Sequence, residues 1–167
     1  MRLFLKASDL LSEWAGKIFS WLILALTGVL VIEVLARYIF RSPTVFALDL
    51  TWMIFGVYTI MGAAYTHLAG GHVRIDLLSN LLPSRKRAIL EVILYLIFFF
   101  PLLFVLSVSC TELAITSWIG DEKSSTSIWR PPVYPFKIAM MVGFYLLALQ
   151  GVAQFIKEIY KLIRGES

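Results

Sequence analysis

The sequence predicts an all-α integral membrane protein: four transmembrane helices, long and tilted, with both termini in the cytoplasm. Three observations carry that expectation. Of 167 residues, 59% are hydrophobic and only 16% are charged, with a mean hydropathy of +0.82, against ~45–50% apolar and ~25% charged in ordinary soluble domains. The excess is gathered into runs of twenty or more residues, the length a helix needs to cross ~30 Å of hydrocarbon. The basic residues sit beside those runs and divide unevenly between their two sides. Together these exclude a soluble enzyme, a nucleic-acid-binding domain and a secreted disulfide scaffold; the net charge of +4 is read as a topology signal. Cys110 is the only cysteine, which excludes an intrachain disulfide and a cysteine-based metal cluster.

The runs cover residues 18–40, 44–68, 88–118 and 133–156, and the whole of 1–167 is read as one four-helix membrane domain. The first is too long for a cleavable signal and no A-x-A-like site follows it, so it is expected to stay as a span. The third, at 31 residues, would be about 46 Å of helix at ~1.5 Å per residue. That exceeds the hydrocarbon thickness, so this span must tilt, kink or project. Pro101 supplies a place to kink, because it removes one helix hydrogen bond. The loops between runs are too short for a soluble domain, and no repeat or low-complexity tract interrupts them.

Orientation follows from the Lys and Arg residues. Ten of them (Arg2, Lys6, Lys17, Arg74, Arg85, Lys86, Arg87, Lys157, Lys161 and Arg164) fall on the side of the termini and the middle loop. The other side holds five: Arg37, Arg41, Lys123, Arg130 and Lys137. The positive-inside rule then places both termini and the middle loop in the cytoplasm, in keeping with an even number of spans.

Few residues in the spans carry chemistry. Glu33 and Arg37 fall one helical turn apart near the outer end of the first span, where each offsets a charge that would be expensive in lipid. They read as a structural clamp or as an ion or proton site, the clamp being the simpler. Asp49 and Glu112 are expected at a similar outer depth, so the four are candidates for one shared polar belt. Glu91 follows Arg87 by one turn and reads as local charge balance. His67 and His72 flank the inner end of the second span, but haem ligands held across a bundle come from facing helices, and these lie on one segment. Small and hydroxyl residues recur at helical spacing in three stripes: Gly56, Thr59, Ala63 and Thr66; Ser107, Cys110, Ala114 and Ser117; Gly143, Leu147, Gln150, Gly151 and Gln154. In lipid such stripes mark helix-packing faces. No acidic residue falls at the midplane of a span, and the sequence has no matched pair of Gly/Pro-broken spans, phosphate loop, metal-ligand spacing or nucleophile motif. No catalysis, cofactor or metal is expected.

Three passages narrow the reading. The first span ends Glu33-Val34-Leu35-Ala36-Arg37-Tyr38. The middle loop reads Gly70-Gly71-His72-Val73-Arg74-Ile75-Asp76, and the outer loop before the last span runs Ser127-Ile128-Trp129-Arg130-Pro131-Pro132-Val133-Tyr134-Pro135-Phe136-Lys137. At these places, and in its four-span plan, the chain resembles the small membrane subunit (DctQ-type) of tripartite ATP-independent periplasmic (TRAP) transporters. The His72–Asp76 block is the most specific part. One departure lies in the second span: many members carry an acidic pair beside its Trp, whereas this chain has Asp49-Leu50-Thr51-Trp52.

The resemblance implies a prokaryotic inner-membrane protein with a large DctM-type membrane subunit as partner. In that family the large subunit carries the substrate and sodium sites and moves elevator-fashion, while a periplasmic binding protein captures an organic acid and largely sets which one is transported. The small subunit would enlarge the static scaffold, in contact with membrane lipid and, transiently, with the periplasmic protein. By the same resemblance Arg74 and Asp76, with His72 beside them as a further candidate, would structure the cytoplasmic turn or touch the partner. Trp129, Arg130 and Lys137 would face the outer surface, where the periplasmic protein could dock; Trp129, Pro131, Pro132 and Tyr134 read equally as a rigid interfacial turn with an aromatic anchor. The competing readings are an autonomous four-span transporter working as a homodimer and a haem-binding membrane anchor. The first needs a carboxylate deep in the first span, whereas Glu33 lies toward its outer end.

Overall fold

A computed structural model describes residues 2–69 and 84–164. Among them the chain is all-helical, and four stretches are long and apolar enough to cross a membrane. The first combines α1 (Arg2–Ser20) and α2 (Leu22–Tyr38). The second is α3 (Ala47–Leu68). The third runs from α4 (Ser84–Leu94) through a five-residue π-helical turn, Tyr95–Phe99, into α5 (Phe100–Ile119), and the fourth is α6 (Tyr134–Arg164).

The helices α3 and α6 form the centre of the bundle. α1 and α2 pack on α3, α4 and α5 pack on α6, and α1 reaches across to α6 as well. Small residues make this close approach possible: Ala64 on α3 and Ala153 on α6 are fully buried. At Gly151 a Cβ would stand 2.2 Å from the ring of Phe99, so no side chain fits there without moving that ring. The stripes expected on α5 and α6 do face the bundle, with Ser107, Ala114, Ser117, Gly143, Leu147, Gln150 and Gly151 all buried. The stripe on α3 divides. Gly56 meets the Phe136 ring, but Thr59 and Thr66 are exposed and return their hydroxyls to the carbonyls of Phe55 and Gly62. A threonine that bonds back along its own helix needs no partner helix.

Two spans differ from the sequence reading. Helix begins at Arg2, well before residue 18. α1 is inverted relative to a soluble amphipathic helix: Ser8, Ser12 and Gly16 face the bundle, while Leu3, Leu10, Trp14 and Ile18 are exposed. Its serines and charges dilute the hydropathy of the segment, so a search for continuous apolar runs starts too late. A tightened turn at Trp21, where Leu24 N–H bonds to the Trp21 carbonyl at 3.1 Å, separates α1 from α2. The last helix also outruns its apolar stretch, reaching Arg164 instead of residue 156. Lys157 is ion-paired to α1 and Glu158 is buried, so the polar end remains part of the packed helix.

The third span has the 31-residue length expected of it, Ile89–Ile119. Its irregularity is a π turn just before Pro101, in which Phe100 N–H bonds to the Tyr95 carbonyl, five residues back. The missing N–H of Pro101 leaves a carbonyl of the preceding turn without its usual donor, and a widened turn is one way for a helix to accommodate that ring.

Candidate functional site

Most of the buried polar side chains gather in two knots, called inner and outer after the sides that the Lys and Arg distribution predicts, and a clamp lies at the surface. The inner knot joins the first helix to the last. Ser8 and Ser12, one turn apart on α1, both donate to Gln150 Oε1, at 2.8 and 2.9 Å. Gln150 Nε2 donates in turn to Asp9 at 3.0 Å, and Lys157 Nζ spans both Asp9 oxygens at 2.7 and 2.8 Å. Ser8, Ser12 and Gln150 are essentially inaccessible to solvent. Both polar atoms of the glutamine amide are thus engaged, which offsets much of the penalty of burying it.

The outer knot is centred on Asp49 in the first turn of α3, where a negative charge also suits the helix N-terminus. Asp49 is fully buried. Its carboxylate accepts from Ser124 Oγ at 2.6 Å, from the Ser127 hydroxyl, and from the Trp52 indole at 3.3 Å. The two serines belong to the loop between α5 and α6. Ser124 N–H bonds to the Pro131 carbonyl and Val133 N–H to the Glu122 carbonyl, so the loop closes on itself as a short clasp. Asp121 and Arg130 take left-handed backbone conformations at the two ends of its excursion, with φ of 43° and 46°. Trp129 packs edge-on against Phe46, and Trp52 against Phe136.

Glu33 and Arg37 form the clamp at the end of α2. Arg37 Nε donates to Glu33 Oε1 at 2.9 Å, and the second Glu33 oxygen accepts from the Thr44 N–H at 2.9 Å and from its hydroxyl. Arg41 turns the chain through φ 52°, and Ser42 N–H caps the Ala36 carbonyl, which brings Thr44 back onto Glu33. The carboxylate thus fixes the α2–α3 connection and is consumed in doing so.

A single polar belt does not form. Glu33 and Asp49 bond to separate sets of partners, and Glu112 is exposed on α5, with no hydrogen bond or ion pair among the described residues. Of the other candidates, Tyr38 and Arg130 are exposed, Trp129 is half-exposed, and Lys137 pairs with Glu122. His72, Arg74 and Asp76 lie outside the described residues. His67 is hydrogen-bonded to the Tyr95 hydroxyl at 2.9 Å and stacked on Phe99, so its ring serves to join α3 to the π turn. The sequence reading missed Ser8, Asp9, Ser12, Thr44, Ser124, Ser127 and Lys157. Gln150, already part of a polar stripe, was the one available signal for the inner knot.

The Lys137 ammonium beside Glu122 holds that carboxyl below its ordinary value of 4.5. A lowered folded-state value means that the pair stabilises the clasp fully above pH 4.5 and ceases to do so as the pH falls through the folded value. Amide-exchange protection at Ser124 and Val133, corrected for intrinsic rates, is therefore expected to fall as the pH drops below 4.5. In Lys137→Met that acid-induced loss should be much reduced; an identical pH profile in the variant would show that the pair does not hold the loop.

Four long spans joined by hydrogen-bonded polar knots define a multi-pass helical membrane protein; the buried Ser107 and Ser117 hydroxyls stand outside these knots, with no hydrogen-bond partner among the described residues. Residues 26–160 match the family described as tripartite ATP-independent periplasmic transporters, DctQ component, and the chain belongs to that family. Over 95 residues it is 30% identical to the sialic acid TRAP transporter permease protein SiaT of Haemophilus influenzae (strain 86-028NP). That stretch is 57% of this chain and 15% of the relative, so the chain spans a minor part of the relative's length. The resemblance read from the Glu33–Tyr38, His72–Asp76 and outer-loop passages is borne out, and all three lie within the matched residues. The family is one of transporters, not of enzymes.

Proposed function

We propose that this chain is the small permease subunit of a TRAP transporter. It braces a larger, elevator-type membrane subunit during sodium-driven uptake of an organic acid delivered by a periplasmic binding protein. The 1–167 stretch acts as one membrane unit in a prokaryotic inner membrane, with both termini and the loop holding His72, Arg74 and Asp76 in the cytoplasm. The acid is one of a class that includes the sugar acid named for the relative, and the periplasmic protein selects it.

The observation that carries this reading is the distribution of burial. In the most apolar windows of the first and third spans only 6% of residues are buried, against 22% in the second and fourth. The bundle is thus a thin wall, with α3 and α6 inside and long apolar flanks on either side. Its buried carboxylate and amide are occupied with other helices and loops, as suits a part that stays still while another moves. The 31 residues of α6 amount to about 46 Å at ~1.5 Å per residue, so this helix must lean or project from a ~30 Å core. A leaning helix widens the fixed footprint. The clasp fastened by Asp49, with Trp129 and Arg130 at its exposed edge, offers the periplasmic protein a preformed surface.

The test is recovery of the tagged chain from its native membranes in mild detergent, followed by mass spectrometry. Equimolar recovery of one large polytopic protein is expected. Recovery of the chain alone, as a dimer, would overturn the proposal in favour of an autonomous transporter.

A further inference from the structure

Glu112 is the one described acidic side chain within the spans that is exposed and has no polar partner among the described residues. Its depth can be read from its neighbours. Thr111 Oγ1 lies 3.0 Å from the Tyr145 hydroxyl, which sets α5 against α6 at this level. Tyr145 is eight residues inward of Lys137, which pairs with Glu122 at the outer end, so Glu112 lies about 12 Å beneath that surface pair at ~1.5 Å per residue. A carboxylate facing lipid chains at that depth is costly in its charged form.

The surroundings make the position more specific. Val105, Ser109, Glu112 and Thr116 are all exposed, and their spacing of four, three and four residues puts them on one face of α5. Val108, Leu113 and Ile115 flank that face and are also exposed. The result is a narrow polar line, with small side chains on either side of a carboxylate, bordered by apolar residues. The exposed face of α2 is different. Val31, Ile32, Val34 and Leu35 present only hydrocarbon, and the neighbouring Glu33 is shielded and satisfied by Arg37 and Thr44.

We infer that the Val105–Ser109–Glu112–Thr116 face of α5 is the docking face for a transmembrane helix of the larger permease subunit. That helix presents a cationic or hydrogen-bond-donating side chain to Glu112. The inference rests on the proposed scaffold role and adds the surface and the chemistry of contact. Charge complementarity selects this occupant. Lipid chains offer Glu112 no donor, and a second copy related by a two-fold axis along the membrane normal would set one Glu112 against another. Small residues beside the carboxylate let the partner backbone come close enough for the bond to form.

Two measurements on the complex in native membranes test this. A photo-crosslinking amino acid is placed at Ser109 or Thr116, with Leu24 on α2 as the control position. Crosslinks to the large subunit are expected from Ser109 and Thr116 and not from Leu24. In parallel, Glu112→Gln and Glu112→Lys are compared by co-purification. Glutamine, which keeps an acceptor, should retain the partner within about twofold, whereas a lysine facing a cation or donor should reduce recovery about tenfold or more. Because Glu112 is exposed and has no polar partner among the described residues, neither change should disturb the fold of the chain. Crosslinks to the large subunit from Leu24 alone, with full recovery in Glu112→Lys, would overturn the inference while leaving the scaffold role intact. Crosslinks from Ser109 and Thr116 to a second copy would overturn it in favour of a homodimer face. Failure of the unaltered chain to recover any large subunit would remove both proposals.

Discussion

Asp49→Ala is expected to release the outer loop from the bundle and to lower stability by about 2–4 kcal/mol, the cost of leaving one buried and two half-buried donors without their acceptor. The Ser124 and Ser127 hydroxyls and the Trp52 indole all point to this carboxylate. Its loss strands them while the backbone clasp, Ser124 N–H to Pro131 and Val133 N–H to Glu122, still holds the loop ends together. The loop should therefore swing as a unit without unravelling. Asp49→Asn, which keeps one acceptor oxygen, should cost roughly half as much. Thermal unfolding in detergent gives the magnitude. Tryptic cleavage after Lys123, followed by mass spectrometry, reports the loosening directly. Unchanged cleavage and melting in Asp49→Ala would mean that the loop is held by Trp129 and Phe46 instead.

Gln150→Leu is expected to detach α1. The glutamine takes two serine hydroxyls on one side and gives its amide to Asp9 on the other. Interhelical hydrogen bonds in membrane proteins average only about 0.6 kcal/mol each, because the alternative state also finds partners. Three are lost together here, and leucine adds apolar volume against two buried hydroxyls, so a loss of about 2–3 kcal/mol is expected. The Asp9–Lys157 pair is partly exposed and should not hold the helix unaided. Distances between spin labels at Leu10 and Tyr160 should change from one narrow population to a broad one. A narrow, native distance in the variant would show that packing at Gly16 and Tyr65 suffices to hold α1 in place.

Which parts of this molecule were legible in the sequence follows from the physics of lipid. The existence of four spans, the 31-residue third span and the packing stripes of α5 and α6 were readable, because apolar runs and small residues at helical spacing are direct consequences of the solvent. The Glu33–Arg37 pair was readable because its partners are one turn apart. The two knots were missed because they depend on contacts between residues far apart in the chain. Nothing near Asp49 indicates that its donors lie 75 residues later in Ser124. α1 was hidden because an inverted amphipathic helix lowers hydropathy in the places where it is most firmly bound. The stranded position of Glu112 was equally invisible, since neither its depth beneath the Lys137–Glu122 pair nor the exposed face of α5 it occupies can be read from residue spacing.

The inner knot also has a consequence for biogenesis. Ser8 is made first and its acceptor, Gln150, follows 142 residues later. During synthesis and membrane insertion the described hydrogen bonds from α1 to another helix cannot form until α6 has emerged. In that interval its apolar outer stripe, Leu3, Leu10, Trp14 and Ile18, and its packing on α3 are what can keep it in place. Arrival of the last helix then closes the bundle. A product lacking α6 would thus leave Ser8, Asp9 and Ser12 without their partners on that helix, with α1 held by its packing on α3.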